Sequence, residues 1–149
     1  MNFKKGPAPV SVRALFSPLG PGTFLELLLA VDTNFKTRDP KRALGYFEDK
    51  LHYSTGPSEL ENAIAHGRRA GVDFNLIDIR AAGAFAKGHI PGALNLPEDE
   101  WSTLAGLSSD RINIVYGDTP VSRRSTLAAV EFTSLGFPVM ELDGGFSAW

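Results

Sequence analysis

The hydrophobic positions of the chain follow two different spacings. Short apolar runs rich in β-branched residues occur at "FNLIDIR" (74–80), "ALNLP" (93–97), "INIVYG" (112–117) and "PVMEL" (138–142). Such runs are typical of buried strands, and helical spacing occurs in segments between them. Strands that alternate with helices predict right-handed crossovers, and therefore an α/β fold with a mainly parallel sheet and helices on both faces.

The N-terminal part of the chain has a different pattern. Residues 1–22 contain prolines and glycines without a clear period, which is typical of an arm of low intrinsic order. The stretch "FLELLLAV" (24–31) predicts a helix with Thr23 as its N-cap. Its apolar face either packs on the domain or forms a surface for dimerisation or partner binding.

Two further helices are indicated before the first long strand. Asp39-Pro40 places a capping carboxylate before a proline at the first helical position, and "KRALGYFEDKL" follows with Leu44, Phe47 and Leu51 on one side. "HYST" (52–55) is predicted as a short strand. The segment "GPSELENAIAHG" is predicted as a helix that begins near Pro57 and stops at Gly67.

The composition and net charge of the chain exclude several classes of function. The 149 residues carry a net charge of −2, so the basic excess of a nucleic-acid binder is missing. The apolar run at 24–31 is far too short to span a bilayer. The absence of cysteine removes disulfides, thiolate metal sites and thiol catalysis, and it fits a reducing compartment, so we expect a cytoplasmic protein. No metal site or nucleotide-binding loop matches, and no cofactor is expected.

The segment "INIVYGDTPVSRRSTLAAVEFTSLGF" (112–137) combines a strand, a polar turn and an amphipathic helix. This is the layout of a loop that handles phosphate or sulfur, because the strand delivers a nucleophile while the helix directs free backbone N–H groups at an anion. Gly117 stands where such a loop needs a cysteine. The sequence therefore predicts an anion loop without its attacking atom.

A family resemblance follows from these residues. "NLIDIRAAGAFAKGHIPGALNLP", then "INIVYG", then "STLAAVEFTSLGFPVMELDGGFSAW" resembles a rhodanese-homology domain over roughly residues 50–149. The resemblance implies a rhodanese-like three-layer fold, with residues 51–149 as the domain and residues 1–50 as an N-terminal arm and helical extension. It also implies a catalytic cysteine at the position of Gly117, which would carry sulfane sulfur from a donor such as thiosulfate as a persulfide.

Without that cysteine, sulfur transfer is not expected. The mechanism requires a thiolate whose pKa is lowered by the loop and nearby cations. Glycine offers no such atom, and a neighbouring serine cannot form a stable oxygen analogue of the persulfide. Removal of a covalent nucleophile commonly costs several orders of magnitude in rate.

The rest of the loop is the predicted ligand-binding segment. Gly117 and Arg123 have the spacing of the cysteine and arginine in dual-specificity phosphatases of the cell cycle, which resemble rhodaneses in fold. Arg123 either holds an oxyanion or, with Arg124, is a solvated charge at a helix start. Asp118 would repel an anion. The loop residues predicted to bind are Gly117, Asp118, Thr119, Val121, Ser122, Arg123 and Arg124.

An enzymatic interpretation stays open beside the binding one. Its chemistry would have moved to Asp118, Ser122 or Arg123, or its cysteine would come from another chain. A serine nucleophile would need one of the three histidines within hydrogen-bond reach. Ser125 is expected to be a helix N-cap rather than a nucleophile.

Three residues are predicted to support the loop. Asp78 and Arg80 lie at a strand end and can bond to loop backbone, whereas His89 belongs to the Gly-His-Ile-Pro-Gly stretch, which the resemblance implies is a structural turn. Family members often carry a glutamate that pairs with the arginine, and this chain has Ala84 there. Arg80 is therefore expected to face solvent or a ligand more freely.

Two hypotheses remain. The first is a catalytically inactive rhodanese-like module that binds a protein partner, a small anion or a persulfide-bearing ligand at loop 117–124, with a homodimer or partner contact through the N-terminal helices. The second is the enzyme with relocated chemistry. Neither nucleic acid nor a membrane is an expected partner.

Overall fold

The computed structural model describes residues 39–149, and five strands in this part of the chain form one sheet. Their order across the sheet is β1-β5-β4-β2-β3, and every neighbouring pair is parallel. The strands are β1 (Ser54–Thr55), β2 (Asn75–Asp78), β3 (Leu94–Asn95), β4 (Asn113–Tyr116) and β5 (Val139–Leu142). The predicted parallel sheet is confirmed, although His52 and Tyr53 are helical rather than part of the first strand.

Helices connect the strands. They are α1 (Pro40–Tyr53), α2 (Pro57–Ala65), α3 (Ala82–Lys87), α4 (Arg124–Ser134) and α5 (Gly145–Ala148), with a 3₁₀ helix at Glu98–Thr103. The predicted start of α2 at Pro57 is confirmed, and Gly67 follows its end with φ of 89°. None of the helices in residues 39–149 is long and apolar enough to cross a membrane.

Alternation along the strands builds a separate core on each face of the sheet. Leu76 and Tyr116 pack with Leu60 of α2 on one face. Their neighbours Ile77 and Val115 pack with Phe132 of α4 on the other. Because successive side chains of a strand point to opposite faces, two central strands buried on both sides supply both cores.

Helix α1 begins as predicted. The Asp39 carboxylate accepts a hydrogen bond of 3.0 Å from the Lys41 N–H, and Pro40 occupies the first turn. Lys50 forms an ion pair of 3.5 Å with Asp143, the residue that follows β5. The helix therefore lies beside the end of β5.

The apolar side of α1 faces solvent. Phe47 is 59% exposed and Leu51 is 81% exposed, and Leu44 lies on the same side of the helix. Helical stripes of this kind normally lie against another element. The predicted arm (1–22) and the predicted helix at 24–31 lie outside the described residues.

Candidate functional site

Loop 117–124 leaves the sheet at the carboxyl end of β4, which lies between β5 and β2. Helix α4 begins at Arg124 and returns along the sheet. The strand, loop and helix predicted from the sequence are therefore present, and the loop lies at the edge of the sheet where ligands bind in parallel α/β folds.

Gly117 has room for a side chain. A Cβ atom built on this buried glycine would meet only the Ile79 Cδ1 atom, at 3.9 Å, which is ordinary van der Waals contact. Neither a positive φ nor a close neighbour requires glycine here. The local structure therefore leaves room for the Cβ atom of a side chain at this position.

The C-terminal Gly-Gly motif holds the start of the loop. The Phe146 N–H donates to the Gly117 carbonyl at 2.8 Å, and the Ser147 N–H donates to the Asp118 carbonyl at 2.9 Å. Gly145 has φ of +60°, and a Cβ atom there would lie 2.7 Å from the Gly117 oxygen. Glycine at 145 therefore permits a backbone contact that any side chain would prevent.

Arg80 is fixed rather than free, so the expectation that it faces solvent or a ligand is wrong. Its side chain is 7% exposed and forms an ion pair of 2.6 Å with the fully buried Asp78 carboxylate. The guanidinium also donates to the Gly88 carbonyl at 2.7 Å and lies 3.9 Å from the centre of the Phe146 ring. Asp78 takes the place of the missing glutamate as its partner.

The ion pair with Asp78 is the main influence on the pKa of Arg80. Its hydrogen bonds to the Asp78 carboxylate raise the pKa of Arg80, although burial works in the opposite direction. Arg80 Nη1 also lies 3.8 Å from the exposed Asp118 carboxylate. Asp118 is therefore a second, weaker partner of Arg80 and connects the loop to the end of β2.

The Gly-His-Ile-Pro-Gly turn lies beneath the same edge. The Ile90 N–H donates to the Tyr116 hydroxyl at 3.2 Å, and burial is the main cause of a raised pKa of Tyr116. The exposed His89 ring stacks on Phe85 at 3.8 Å, and its Nδ1 bonds the Phe85 carbonyl at 3.0 Å. These contacts of His89 stabilise the turn.

Ser125 does not cap α4, because it is the second residue of the helix and its hydroxyl donates elsewhere. Ser125 Oγ donates to Glu141 Oε1 at 2.6 Å, and Thr126 Oγ1 lies 3.0 and 3.1 Å from the two carboxylate oxygens. Glu141 was not predicted from the sequence. No local signal joins a residue of β5 to a helix start sixteen positions earlier.

A polar cavity of about 230 Å³ opens between the loop, β5 and α1. Its lining includes Thr119 and Ser122 of the loop and Glu141 of β5, together with Lys50, Pro120, Ser125, Leu142, Asp143, Gly144 and Gly145. Arg123, Arg124 and Val121 are exposed. The structure thus brings only part of the predicted loop set into the cavity.

The enzymatic interpretation gains little from this geometry. The Ser125 hydroxyl is bonded to a carboxylate, and the Ser122 hydroxyl accepts from the Arg124 N–H at 3.4 Å. His66 Nδ1 bonds the Asn62 carbonyl at 2.8 Å. Within residues 39–149, no group of three histidine, aspartate or glutamate side chains could hold a metal ion.

Residues 56–149 match the family model described as "Rhodanese-like domain". The chain is 38% identical over 76 residues to the thiosulfate sulfurtransferase GlpE of Shewanella oneidensis. The aligned segment covers 50% of this chain and 73% of that protein.

Solved structures agree with this similarity. The BH2092 protein of Bacillus halodurans is 33% identical with a TM-score of 0.64, covering 74% of this chain and 80% of that one. The rhodanese-like domain of the Alr3790 protein of Anabaena is 29% identical with a TM-score of 0.57, covering 65% of this chain and 72% of that one.

Proposed function

The chain belongs to the rhodanese-like family, and we propose that it is a member without sulfur-transfer activity that acts as a binding module through loop 117–124. The observation that carries the proposal is Gly117. It directly follows β4, at the position where the family resemblance implies the sulfur-carrying cysteine, and the chain contains no cysteine at all. A persulfide cannot form on a residue without a thiol.

The residues around Gly117 support the proposal that the loop binds a partner. Gly117 has space for a side chain, the Gly145 contact holds the loop in place, and Arg80 remains anchored to Asp78. A site that keeps its shape but has no nucleophile can recognise a partner without turning it over. Loop residues Thr119 and Ser122 line the cavity, where their hydroxyl groups can act as donors and acceptors.

The surface beside the cavity favours a protein as the partner. Lys50 of α1 lines the cavity, and the same helix exposes Leu44, Phe47 and Leu51 to solvent. Neighbouring exposed apolar side chains mark interaction surfaces. A small anion would cover only the loop, whereas a protein can cover the loop and the apolar side of α1 together.

A photo-crosslinking experiment tests this proposal. A photoreactive residue replaces Val121, which is 87% exposed in the loop, in the full chain within an extract of its source cells. Val72, exposed in the turn before β2, provides the matched control because it lies at the opposite, amino-terminal edge of the parallel sheet. We expect a discrete crosslinked protein from position 121 and not from position 72.

The captured protein is then purified and its affinity measured with single variants. Val121→Asp and Phe47→Asp are expected to weaken binding by about tenfold or more, as for interface residues that lose a buried contact. Val72→Asp is expected to leave binding unchanged. Equal crosslinking at both positions, or affinity that is insensitive to Val121→Asp, would contradict the proposed binding surface.

A further inference from the structure

A carboxylate of the protein itself lies at the start of α4. Glu141 belongs to β5, where alternation directs it to the same face of the sheet as Val139 and the α4 core. Its two oxygens are held by the Ser125 and Thr126 hydroxyls at 2.6 to 3.1 Å. Since Ser125 is only 5% exposed, one of these donors is a buried group directed at the carboxylate.

The charge of α4 explains why a carboxylate is stable there. The eleven-residue helix has no acidic residue in its own first turn and no side-chain cap, and it begins beside Arg123 and Arg124. The N-terminus of a helix favours negative charge. Glu141 supplies that charge from another element, at the position where an external anion would otherwise approach.

The carboxylate also lines the cavity of the loop. Glu141 shares this cavity with Thr119, Ser122 and Asp143, and the exposed Asp118 lies at the start of the same loop. An anion that entered would meet the Glu141 carboxylate, which is unfavourable even at the high dielectric constant of a surface site, while Lys50 in the same lining is already paired with Asp143 at 3.5 Å. The donors of the Ser125 and Thr126 hydroxyls would also have to be taken from Glu141.

We propose that Glu141 is the built-in anion of this site and excludes external oxyanions such as thiosulfate and sulfate from it. The inference rests on the proposed function only in taking the loop as the binding surface. Glu141 is thus a specificity-determining residue that directs this cavity toward ligands other than oxyanions.

Anion binding by variants of the chain tests the proposal. The melting temperature is measured against sulfate and thiosulfate at fixed ionic strength for the wild type, for Glu141→Gln and for Glu131→Gln, a control on α4. Glutamine keeps an oxygen that can accept from the two hydroxyls. We expect no saturable rise in melting temperature for the wild type or the control. For Glu141→Gln we expect a saturable rise at millimolar anion, which corresponds to an affinity about tenfold or more above that of the wild type.

If the glutamine variant does not fold, Glu141→Thr replaces it, since a β-branched residue suits a strand. Equal anion affinity in the wild type and the folded Glu141 variant overturns the proposal. A wild-type shift that is lost in Arg123→Ala overturns it while supporting ligand binding at the loop. Anion binding gained in Glu141→Gln together with equal crosslinking at positions 121 and 72 would sustain this inference and refute the proposed function.

Discussion

Gly145 and Gly117 are in direct backbone contact, so that a Cβ atom on Gly145 would lie 2.7 Å from the Gly117 carbonyl oxygen. The Phe146 N–H completes this contact with a hydrogen bond of 2.8 Å to the same oxygen. The end of β4 and the beginning of α5 are therefore one structural unit. The C-terminal motif determines where the loop starts, although it is separated from the loop by the whole of α4 and β5.

Gly145→Ala is expected to destabilise the protein by about 2–4 kcal/mol, since a positive φ and a steric overlap act together. The free energy of unfolding in urea measures this change. Gly83→Ala is the matched control, because a Cβ atom there meets nothing within 4 Å and the residue lies in α3. The control should be neutral or stabilised by about 0.5–1 kcal/mol. Equal stability of the two variants would show that the close contact is not required.

Arg80→Gln is expected to lower the free energy of unfolding by about 3–5 kcal/mol, because it leaves the buried Asp78 carboxylate without its cation. Arg68→Gln offers a control at the exposed ion pair with Asp73, where Arg68 is 67% exposed. That change should cost less than about 1 kcal/mol. Urea titrations of both variants provide the comparison, and similar losses would contradict the structural role assigned to Arg80.

The Asp73 carboxylate is expected to make the free energy of unfolding depend on pH in the acid range. A hydrogen bond of 2.9 Å from the Arg69 N–H is the main cause of a lowered pKa of Asp73, and Arg68 adds to it. Because the folded pKa lies below the ordinary value of 3.8, the stabilisation is present above that value and is lost as the pH falls through the folded pKa. Carboxyl NMR titration should show the lowered pKa, and Arg68→Gln should move it upward. A pKa at or above the ordinary value would refute this assignment.

Gly117→Cys is expected to fold with nearly wild-type stability, within about 1 kcal/mol, since its Cβ atom meets only Ile79 at 3.9 Å. The urea midpoint of the variant, compared with that of the wild type, checks this expectation. A large loss of stability would mean that the loop has closed around the glycine.

The sequence predicted the sheet well because its strands carry their signals locally. "FNLIDIR" and "INIVYG" are apolar on both faces, as central parallel strands must be, and Asp39-Pro40 marks a helix start without tertiary help. The family resemblance predicts that Gly117 stands at the position of the missing nucleophile.

The errors concern side-chain pairings that depend on how the sheet and its loops assemble. Ser125 was expected to cap α4, yet the structure pairs it with Glu141 of β5, and no periodicity reports such a pairing. Arg80 was expected to be freer because a nearby glutamate is missing, but Asp78, two residues earlier, satisfies it together with the Gly88 carbonyl. In both cases the partner of the side chain depends on which groups become buried together. That burial is determined by the assembled sheet and is not visible in a local sequence pattern.

The most direct test of the central claim is the rate of sulfur transfer from thiosulfate to cyanide by the purified chain. The thiosulfate sulfurtransferase GlpE of Shewanella oneidensis serves as the positive control. We predict a rate equal to that of buffer alone for the wild type, because no atom at position 117 can carry the sulfur. Thiocyanate formed above the buffer rate by the wild type, and lost on unfolding, would show that this chain is an active sulfurtransferase.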